Sequence, residues 1–221
     1  MILVLSVLAA ASGAIEIASQ YLGPRTIVYI FKPLTMVFII GIALIRASKR
    51  DSYRYLIVAG LCFSLAGDIF LMLPSDRFVF GLVSFLVAHI FYIGAFRTRP
   101  TSLLSILFGL ACVAYGFVML WFLFPNLGDM KLPVLIYVAV VLLMAWQALC
   151  RWAEERSRGA ALAAIGAILF VASDSMIAID RFNGRFRLAG ALIMTTYFAA
   201  QLLIALSVGC HSGCPVRASA D

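Results

Sequence analysis

Charged residues are scarce in this chain: Asp, Glu, Lys and Arg make up 12% of its 221 residues, whereas 64% are hydrophobic. The mean hydropathy of +1.07 lies far above the range of soluble domains. This composition excludes a soluble globular fold and indicates a helical protein that crosses a membrane several times. The polar stretches between the hydrophobic runs are too short to carry a catalytic unit of their own.

Several common functional motifs are missing as well. The sequence contains no HExxH zinc motif, no GxSxG nucleophile elbow and no P-loop. Three cysteines fall in or at the ends of hydrophobic runs, where a thiol usually acts as an apolar filler: Cys62, Cys112 and Cys150. Cys210, His211 and Cys214 offer three soft ligands, whereas a structural zinc site needs four. We therefore expect no zinc site at these three residues, and interpret residues 209–221 as a disordered cytoplasmic tail with reduced thiols.

Hydrophobic runs separated by Gly, Pro and charged residues set the number of helices. A helix that crosses a bilayer needs about 20 apolar residues, so the chain has room for eight. The sequence predicts an all-α bundle of eight transmembrane helices over residues 1–208. The spans lie near 2–21, 27–45, 55–73, 79–96, 103–124, 132–150, 159–179 and 187–208.

The distribution of basic residues predicts the orientation. Ten Lys and Arg residues fall on the side of the chain termini and six in the opposite loops, which favours both termini in the cytoplasm. The net charge is +7, and no pattern suggests nucleic-acid binding. We interpret the positive charge as setting the orientation in the membrane and as contacting anionic lipid head groups. The first run resembles a signal peptide near Ala14, but it lacks a basic start, so we expect a retained span.

Ionisable side chains interrupt five of these runs: Glu16, Lys32, Asp68, His89 and Asp174. Each costs roughly 2.5–3.5 kcal/mol on membrane-insertion scales, so each is a candidate functional residue. A structural alternative remains open for them. Lys32 would then neutralise one carboxylate, and the other groups would form hydrogen bonds between helices. Each such bond would stabilise the bundle by about 0.6–2 kcal/mol.

The positions of these groups along their spans predict one polar layer. Counting 1.5 Å per residue, we expect Glu16, Lys32, Asp68 and Asp174 at a similar depth, roughly 8 Å below the non-cytoplasmic surface. Further polar side chains follow at helical spacing on spans 4, 6 and 8: His89 and Tyr92, Tyr137, and Tyr197 with Gln201. Small residues share a face with each aspartate, which indicates that both aspartates point into the bundle.

A short internal repeat links the two halves of the chain. Gly67-Asp68 followed by Asp76-Arg77-Phe78 is echoed by Ser173-Asp174 followed by Asp180-Arg181-Phe182. The two spans start on the same side, so a repeat of four plus four helices would be parallel. Such a repeat would bring the two aspartates face to face across a central cavity.

Five motifs in order resemble those of the YhhN family, whose animal members are lysoplasmalogenases. They are Phe31-Lys32-Pro33-Leu34, Gly67-Asp68-Ile-Phe-Leu-Met-Leu-Pro, Phe85-Leu-Val-Ala-His89-Ile-Phe-Tyr92, Ser173-Asp174-Ser175 and Thr196-Tyr197-Phe-Ala-Ala-Gln201. The resemblance covers nearly the whole chain. It implies a membrane hydrolase without a cofactor that cleaves the vinyl ether bond of lysoplasmalogens. The products would be a fatty aldehyde and glycerophosphocholine or glycerophosphoethanolamine.

The resemblance also implies catalysis by two aspartates, which fall on Asp68 and Asp174. Vinyl ether hydrolysis begins with protonation of an alkene carbon and passes through an oxocarbenium ion, so an acid beside a carboxylate suits it, as in glycoside hydrolysis. We expect Lys32 to keep one aspartate ionised or to bind the substrate phosphate. The remaining candidates would hold water and glycerol oxygens or support the site: Glu16, His89, Tyr92, Tyr137, Tyr197 and Gln201.

Three other interpretations stay open. Charged groups at matched depth in a parallel repeat also describe a lipid or small-solute transporter. A structural subunit would have dispensable charges, and a hydrolase could act on a different lysolipid or ether lipid. The sequence gives no oligomeric state.

Overall fold

The computed structural model describes residues 1–46, 52–74 and 77–209, and within them the chain forms eight long helices. The predicted Cys210, His211 and Cys214 cluster, almost all of the predicted tail, and Asp76 of the predicted repeat lie outside the described residues. The helices are α1 (Ile2–Leu22), α2 (Arg25–Ile45), α3 (Ser52–Met72), α4 (Phe78–Phe96), α5 (Leu103–Leu123), α6 (Lys131–Glu155), α7 (Arg158–Phe182) and α8 (Ala189–Ser207).

All eight helices are long and apolar enough to cross a membrane, and the described residues contain no strand. The predicted all-α fold with eight spans is therefore confirmed, and the chain is an integral membrane protein with several spans. Two short 3₁₀ turns, Phe124–Asn126 and Gly128–Met130, connect α5 to α6.

Two helices, α6 and α7, end at least three residues beyond the end that the hydrophobic pattern predicts. Helix α6 continues to Glu155, because Arg151 pairs with Glu155 one turn later at 3.0 Å and the charges support the last turn instead of ending it. It stops at Arg156, whose positive φ of 52° turns the chain out of the helix. Helix α7 then starts from Ser157, whose hydroxyl accepts a hydrogen bond from the Ala160 N–H.

The helices form a closed ring with one helix outside it. Helix α1 packs against α2, α2 against α3 and α3 against α4. Helix α4 packs against α6, and α6, α7, α8 and α1 complete the ring. Helix α5 lies outside, mainly against α6, and is the least buried of the eight. Helix α8 also reaches α2 and α3, so its side chains enter the middle of the bundle.

The two ends of the bundle carry different connections. We call the end that holds the α1–α2, α3–α4, α5–α6 and α7–α8 connections the far end. There, Asn126 donates a hydrogen bond to Asn183 and the Phe78 ring meets Phe182. At the terminal end, Arg46 Nε donates to the Val208 carbonyl, so the ends of α2 and α8 lie together.

A layer of apolar side chains separates the polar groups of the two ends. At the terminal end, the Tyr53 and Ser207 hydroxyls lie 2.6 Å apart, and the Arg151 guanidinium lies over the Tyr53 ring. Between this group and the polar residues nearer the far end lies what we call the apolar plug, on α3, α6 and α8. Its members are fully buried: Ile57, Leu61, Met144 and Ile204.

Candidate active site

Asp68 is held by two partners from other helices. Its Oδ1 lies 3.1 Å from the Lys32 ammonium of α2, and its Oδ2 accepts a hydrogen bond of 2.6 Å from the Tyr197 hydroxyl of α8. Only 2% of the Asp68 side chain is exposed. Both carboxylate oxygens therefore have a strong donor, and the ion pair ties α2, α3 and α8 together.

Asp174 has a more open environment. Its Oδ2 accepts a hydrogen bond of 2.7 Å from the Tyr137 hydroxyl of α6, and the same oxygen lies 3.8 Å from His89 Nε2 of α4. No described residue donates a hydrogen bond to Oδ1, and 12% of the side chain is exposed. Because α7 ends at Phe182, Asp174 lies eight residues before the end of its helix rather than the expected five.

The contacts of His89 fix its hydrogen-bonding state. Its Nδ1 lies 2.5 Å from the Phe85 carbonyl oxygen, and a carbonyl oxygen can only accept, so Nδ1 carries the proton. In the neutral ring, Nε2 then has a free lone pair. This atom is buried without a hydrogen-bond partner among the described residues and lies 3.8 Å from Asp174 Oδ2. The pair is therefore arranged to exchange a proton after a small approach.

Aromatic rings stand between the two aspartate clusters. Tyr197 meets Phe85 and Phe170 edge to face, at ring centroid distances of 5.9 and 5.6 Å. Phe170 also meets His89 at 4.7 Å. Within the described part of the chain, no hydrogen bond or ion pair joins the Asp68 cluster to the Asp174 cluster.

Asp174 lines a narrow apolar pocket of about 70 Å³, whereas Asp68 does not line it. The walls come from α3 to α7 and include Phe85, Tyr137 and Val171. Tyr115 of α5 closes one side, with its hydroxyl 2.7 Å from that of Ser175. Of the two aspartates, Asp174 is therefore the one that lies on the wall of this pocket.

Two further pockets adjoin the Asp174 pocket. An apolar pocket of about 340 Å³ lies between α5, α6 and α7 and shares Tyr115, Leu142 and Val171 with it. A pocket of about 290 Å³ at the far end shares Leu71, Phe78 and Ile177. The far-end pocket is the polar one, since it includes Asp180, Arg181 and Arg185. We call the pocket between α5, α6 and α7 the chain pocket, and the far-end pocket the vestibule.

The remaining candidates lie around the two clusters. Glu16 is buried and accepts a hydrogen bond of 2.7 Å from Gln20, and Tyr92 donates one of 2.8 Å to Gln201 at the inner edge of the polar layer. None of the three candidates Glu16, Tyr92 and Gln201 lines the Asp174 pocket. Among the described residues, no group of His, Cys, Asp and Glu side chains is arranged to hold a metal ion.

The sequence reasoning missed three residues that shape this site. Phe85 and Phe170 lie between the aspartate clusters, and Tyr115 borders both apolar pockets. Phe85 lies one helical turn before His89, so helical spacing could have connected the two. Nothing in the sequence distinguishes Phe170 from the other phenylalanines of the spans.

Comparison with known proteins gives consistent matches. The pattern that describes the YhhN family matches residues 27–208. Lysoplasmalogenase TMEM86A of Bos taurus is 40% identical over 68% of this chain, and the chain spans 64% of that relative's length. Lysoplasmalogenase TMEM86B of Homo sapiens is 38% identical over 72% of this chain and 66% of its own length. Uncharacterized membrane protein YhhN of Escherichia coli O157:H7 is 28% identical over 89% of this chain and 94% of its own length. No solved structure matches the chain significantly.

Proposed function

We propose that this chain, which belongs to the YhhN family, hydrolyses the vinyl ether bond of lysoplasmalogens within the membrane. The products are a fatty aldehyde and glycerophosphocholine or glycerophosphoethanolamine. Two observations support this proposal. Relatives at 38–40% identity carry the name lysoplasmalogenase. The observation that carries the proposal is a carboxyl group, Asp174, at the wall of an apolar pocket that adjoins a polar vestibule.

Asp174 is the proton donor of the proposed reaction. Its protonated carboxyl group transfers the proton to the alkene carbon of the vinyl ether, which leaves an oxocarbenium ion and an aspartate. The aspartate stabilises this cation, as carboxylates do in glycoside hydrolysis. The Tyr137 hydroxyl, 2.7 Å from Oδ2, orients the carboxyl group and leaves Oδ1 to face the substrate.

His89 completes the cycle by accepting a proton. Water attacks the oxocarbenium carbon, and its proton passes to the free lone pair of His89 Nε2. The resulting hemiacetal collapses to the aldehyde and the glycerol hydroxyl. The imidazolium then returns the proton to Asp174, whose Oδ2 lies 3.8 Å away, and the acid is restored.

Asp68 has a positioning role in this scheme. Its Lys32 partner keeps it ionised, and its bond to Tyr197 fixes a ring that packs on Phe85 and Phe170. Phe85 lines the Asp174 pocket, and Phe170 packs against Phe85 and His89. Glu16, Tyr92 and Gln201 support the same region of the bundle.

The membrane supplies the substrate. A single-chain lipid dissolves in the bilayer, and its alkenyl chain enters the chain pocket between α5, α6 and α7. Its polar end then lies towards the far end of the bundle. Following the distribution of basic residues, both termini lie in the cytoplasm, and in a bacterium the membrane is the cytoplasmic one.

Aldehyde release by the purified protein in detergent tests the proposal. The substrate is lysoplasmenylethanolamine, and the matched control lipid is lysophosphatidylethanolamine, which has an ester in place of the vinyl ether. We expect aldehyde from the wild type and none from Asp174→Asn. A folded wild-type protein that releases no aldehyde overturns the proposal; fatty acid from the control lipid would then indicate another lysolipid hydrolase.

A further inference from the structure

The vestibule offers two cationic side chains beside the pocket of Asp174. Arg181, in the last turn of α7, lies over the Phe78 ring at 4.8 Å, and Phe78 is a wall of both the vestibule and the Asp174 pocket. Arg185 follows in the α7–α8 loop and is exposed. Within the described part of the chain, no ion pair ties Arg185 to a carboxylate.

The backbone of the loop holds Arg185 in place. The Asp180 carboxylate accepts a hydrogen bond of 3.2 Å from the Phe186 N–H, which draws the loop back over the end of α7. Gly184 has a φ of +128°, a conformation that L side chains rarely adopt, and it permits the turn. Asp180 is therefore engaged by the loop, and Arg185 lines the vestibule without an ion pair to a described carboxylate.

Asp174 and the vestibule lie on one face of α7. Ile177 lines both pockets, and Arg181 lies seven residues after Asp174, two turns along the same face. At 1.5 Å per residue, the two backbone positions are roughly 10 Å apart. In a lysoplasmalogen, seven bonds separate the alkene carbon that is protonated from the phosphorus, which is about 8 Å at roughly 1.2 Å per bond of extended chain. A substrate whose vinyl ether meets Asp174 therefore places its phosphate in the vestibule.

The other candidate for the phosphate is occupied. Lys32 lies 3.1 Å from Asp68, is largely buried and does not line the Asp174 pocket. We propose, resting on the function proposed above, that Arg185 together with Arg181 forms the subsite that binds the phosphodiester of the substrate. Guanidinium groups suit this task because their planar donors match two phosphate oxygens at once. The subsite selects phospholipid vinyl ethers over neutral ones.

Two substrates that differ in the phosphate test the subsite. Kinetics are measured in micelles of a neutral maltoside detergent, which contain no other phosphate, with lysoplasmenylethanolamine and with 1-alkenylglycerol. We expect Arg185→Gln to raise KM for the phospholipid about tenfold, the usual scale for losing a charged hydrogen bond, without changing kcat. KM for 1-alkenylglycerol should not change. Arg187→Gln, in the same loop but outside the vestibule, is the matched control and should leave both substrates unaffected.

Several outcomes would overturn the subsite. An unchanged KM for the phospholipid in Arg185→Gln would do so, and so would equal effects of Arg185→Gln and Arg187→Gln or equal effects on the two substrates. A wild type that cleaves neither substrate would sink the hydrolase instead. Binding of lysophosphatidylethanolamine in the same micelles then decides the subsite separately: weaker binding by Arg185→Gln alone supports it, and equal binding by all three proteins refutes it.

Discussion

Asp68 and Asp174 are the same residue type, on α3 and α7, yet their environments differ. Asp68 is almost fully buried, with a lysine on one oxygen and a tyrosine on the other. Asp174 has one tyrosine, an oxygen without a donor among the described residues, and a place on a pocket wall. The sequence marks both as intramembrane acids, and only their partners distinguish them.

The number of hydrogen-bond partners around each carboxyl group bears on what that group can do in the reaction. A carboxylate that is paired on both oxygens has no free site for a substrate proton, and its ion pair favours the charged form. A carboxyl group with one free oxygen in an apolar pocket can donate a proton and accept it back. These environments therefore support the roles proposed above, proton transfer for Asp174 and support of the bundle for Asp68.

Asp174→Asn gives the largest expected effect on the reaction. An amide cannot deliver the proton, so kcat should fall by about 10²- to 10⁴-fold, the usual contribution of general acid catalysis. The Tyr137 hydroxyl can still donate to the amide oxygen, so the melting temperature should stay close to that of the wild type. Aldehyde release and thermal unfolding are measured on the same preparation. Retained turnover in this variant would break the assignment of Asp174 as the acid.

Asp68→Asn should act through stability instead. The substitution leaves the buried Lys32 ammonium without its counter-charge, which costs about 3–5 kcal/mol in comparable buried pairs. The double variant Lys32→Met with Asp68→Asn removes both charges and should recover most of the lost melting temperature. We expect it to retain turnover within about tenfold of the wild type, the effect of losing one positioning hydrogen bond. A stable double variant without turnover would show that Asp68 takes part in the chemistry.

His89→Asn should have an intermediate effect. The shorter amide can still donate to the Phe85 carbonyl, but it removes the Nε2 lone pair beside Asp174. We expect kcat to fall by about 10²-fold, the lower end for general base catalysis, with KM unchanged. Ser84→Ala, on the same helix with its hydroxyl bonded to the Phe80 carbonyl, is the matched control. A loss of the same size in both variants would point to disruption of α4 rather than to proton transfer.

Ala111→Phe should have the smallest effect, which is limited to the preference between long-chain and short-chain lipids. Ala111 of α5 lines the chain pocket but not the Asp174 pocket, so a larger side chain shortens the space for the alkenyl tail. We expect kcat/KM for a long-chain substrate to fall about tenfold relative to a short-chain one, which corresponds to two lost methylene contacts. Competition between two chain lengths in one assay measures this ratio. An unchanged ratio would place the tail elsewhere.

Much of the bundle could be predicted because membrane spans have a strong signal in one dimension. The eight hydrophobic runs give the eight helices, and errors occur where charges support a helix end, as at Arg151 and Glu155. The polar layer followed from counting residues along each span, and it brought Tyr137 and Tyr197 within reach of aspartates. The structure places their hydroxyls on Asp174 and Asp68 respectively.

The environment of each aspartate could not be predicted, because it depends on how the helices are rotated about their axes. It also depends on how far each helix is shifted along its axis. Phe85 and His89 lie one turn apart on the same face of α4, so this shift decides which of them meets Asp174, and the sequence does not give it. The pockets also depend on where α5 sits, and α5 lies outside the ring instead of between α4 and α6. The proposed four-plus-four repeat remains a prediction.

The apolar plug bears on whether protons can cross the membrane through the bundle. A continuous chain of hydrogen-bonding side chains across a bundle would conduct protons and dissipate the gradient that the membrane stores. In this bundle, Ile57, Leu61, Met144 and Ile204 lie between the polar layer and the Tyr53 and Ser207 hydroxyls at the terminal end. None of these four side chains can pass a proton. Within the described residues, these side chains therefore interrupt a hydrogen-bonding route between the acids near the far end and the polar groups of the terminal end.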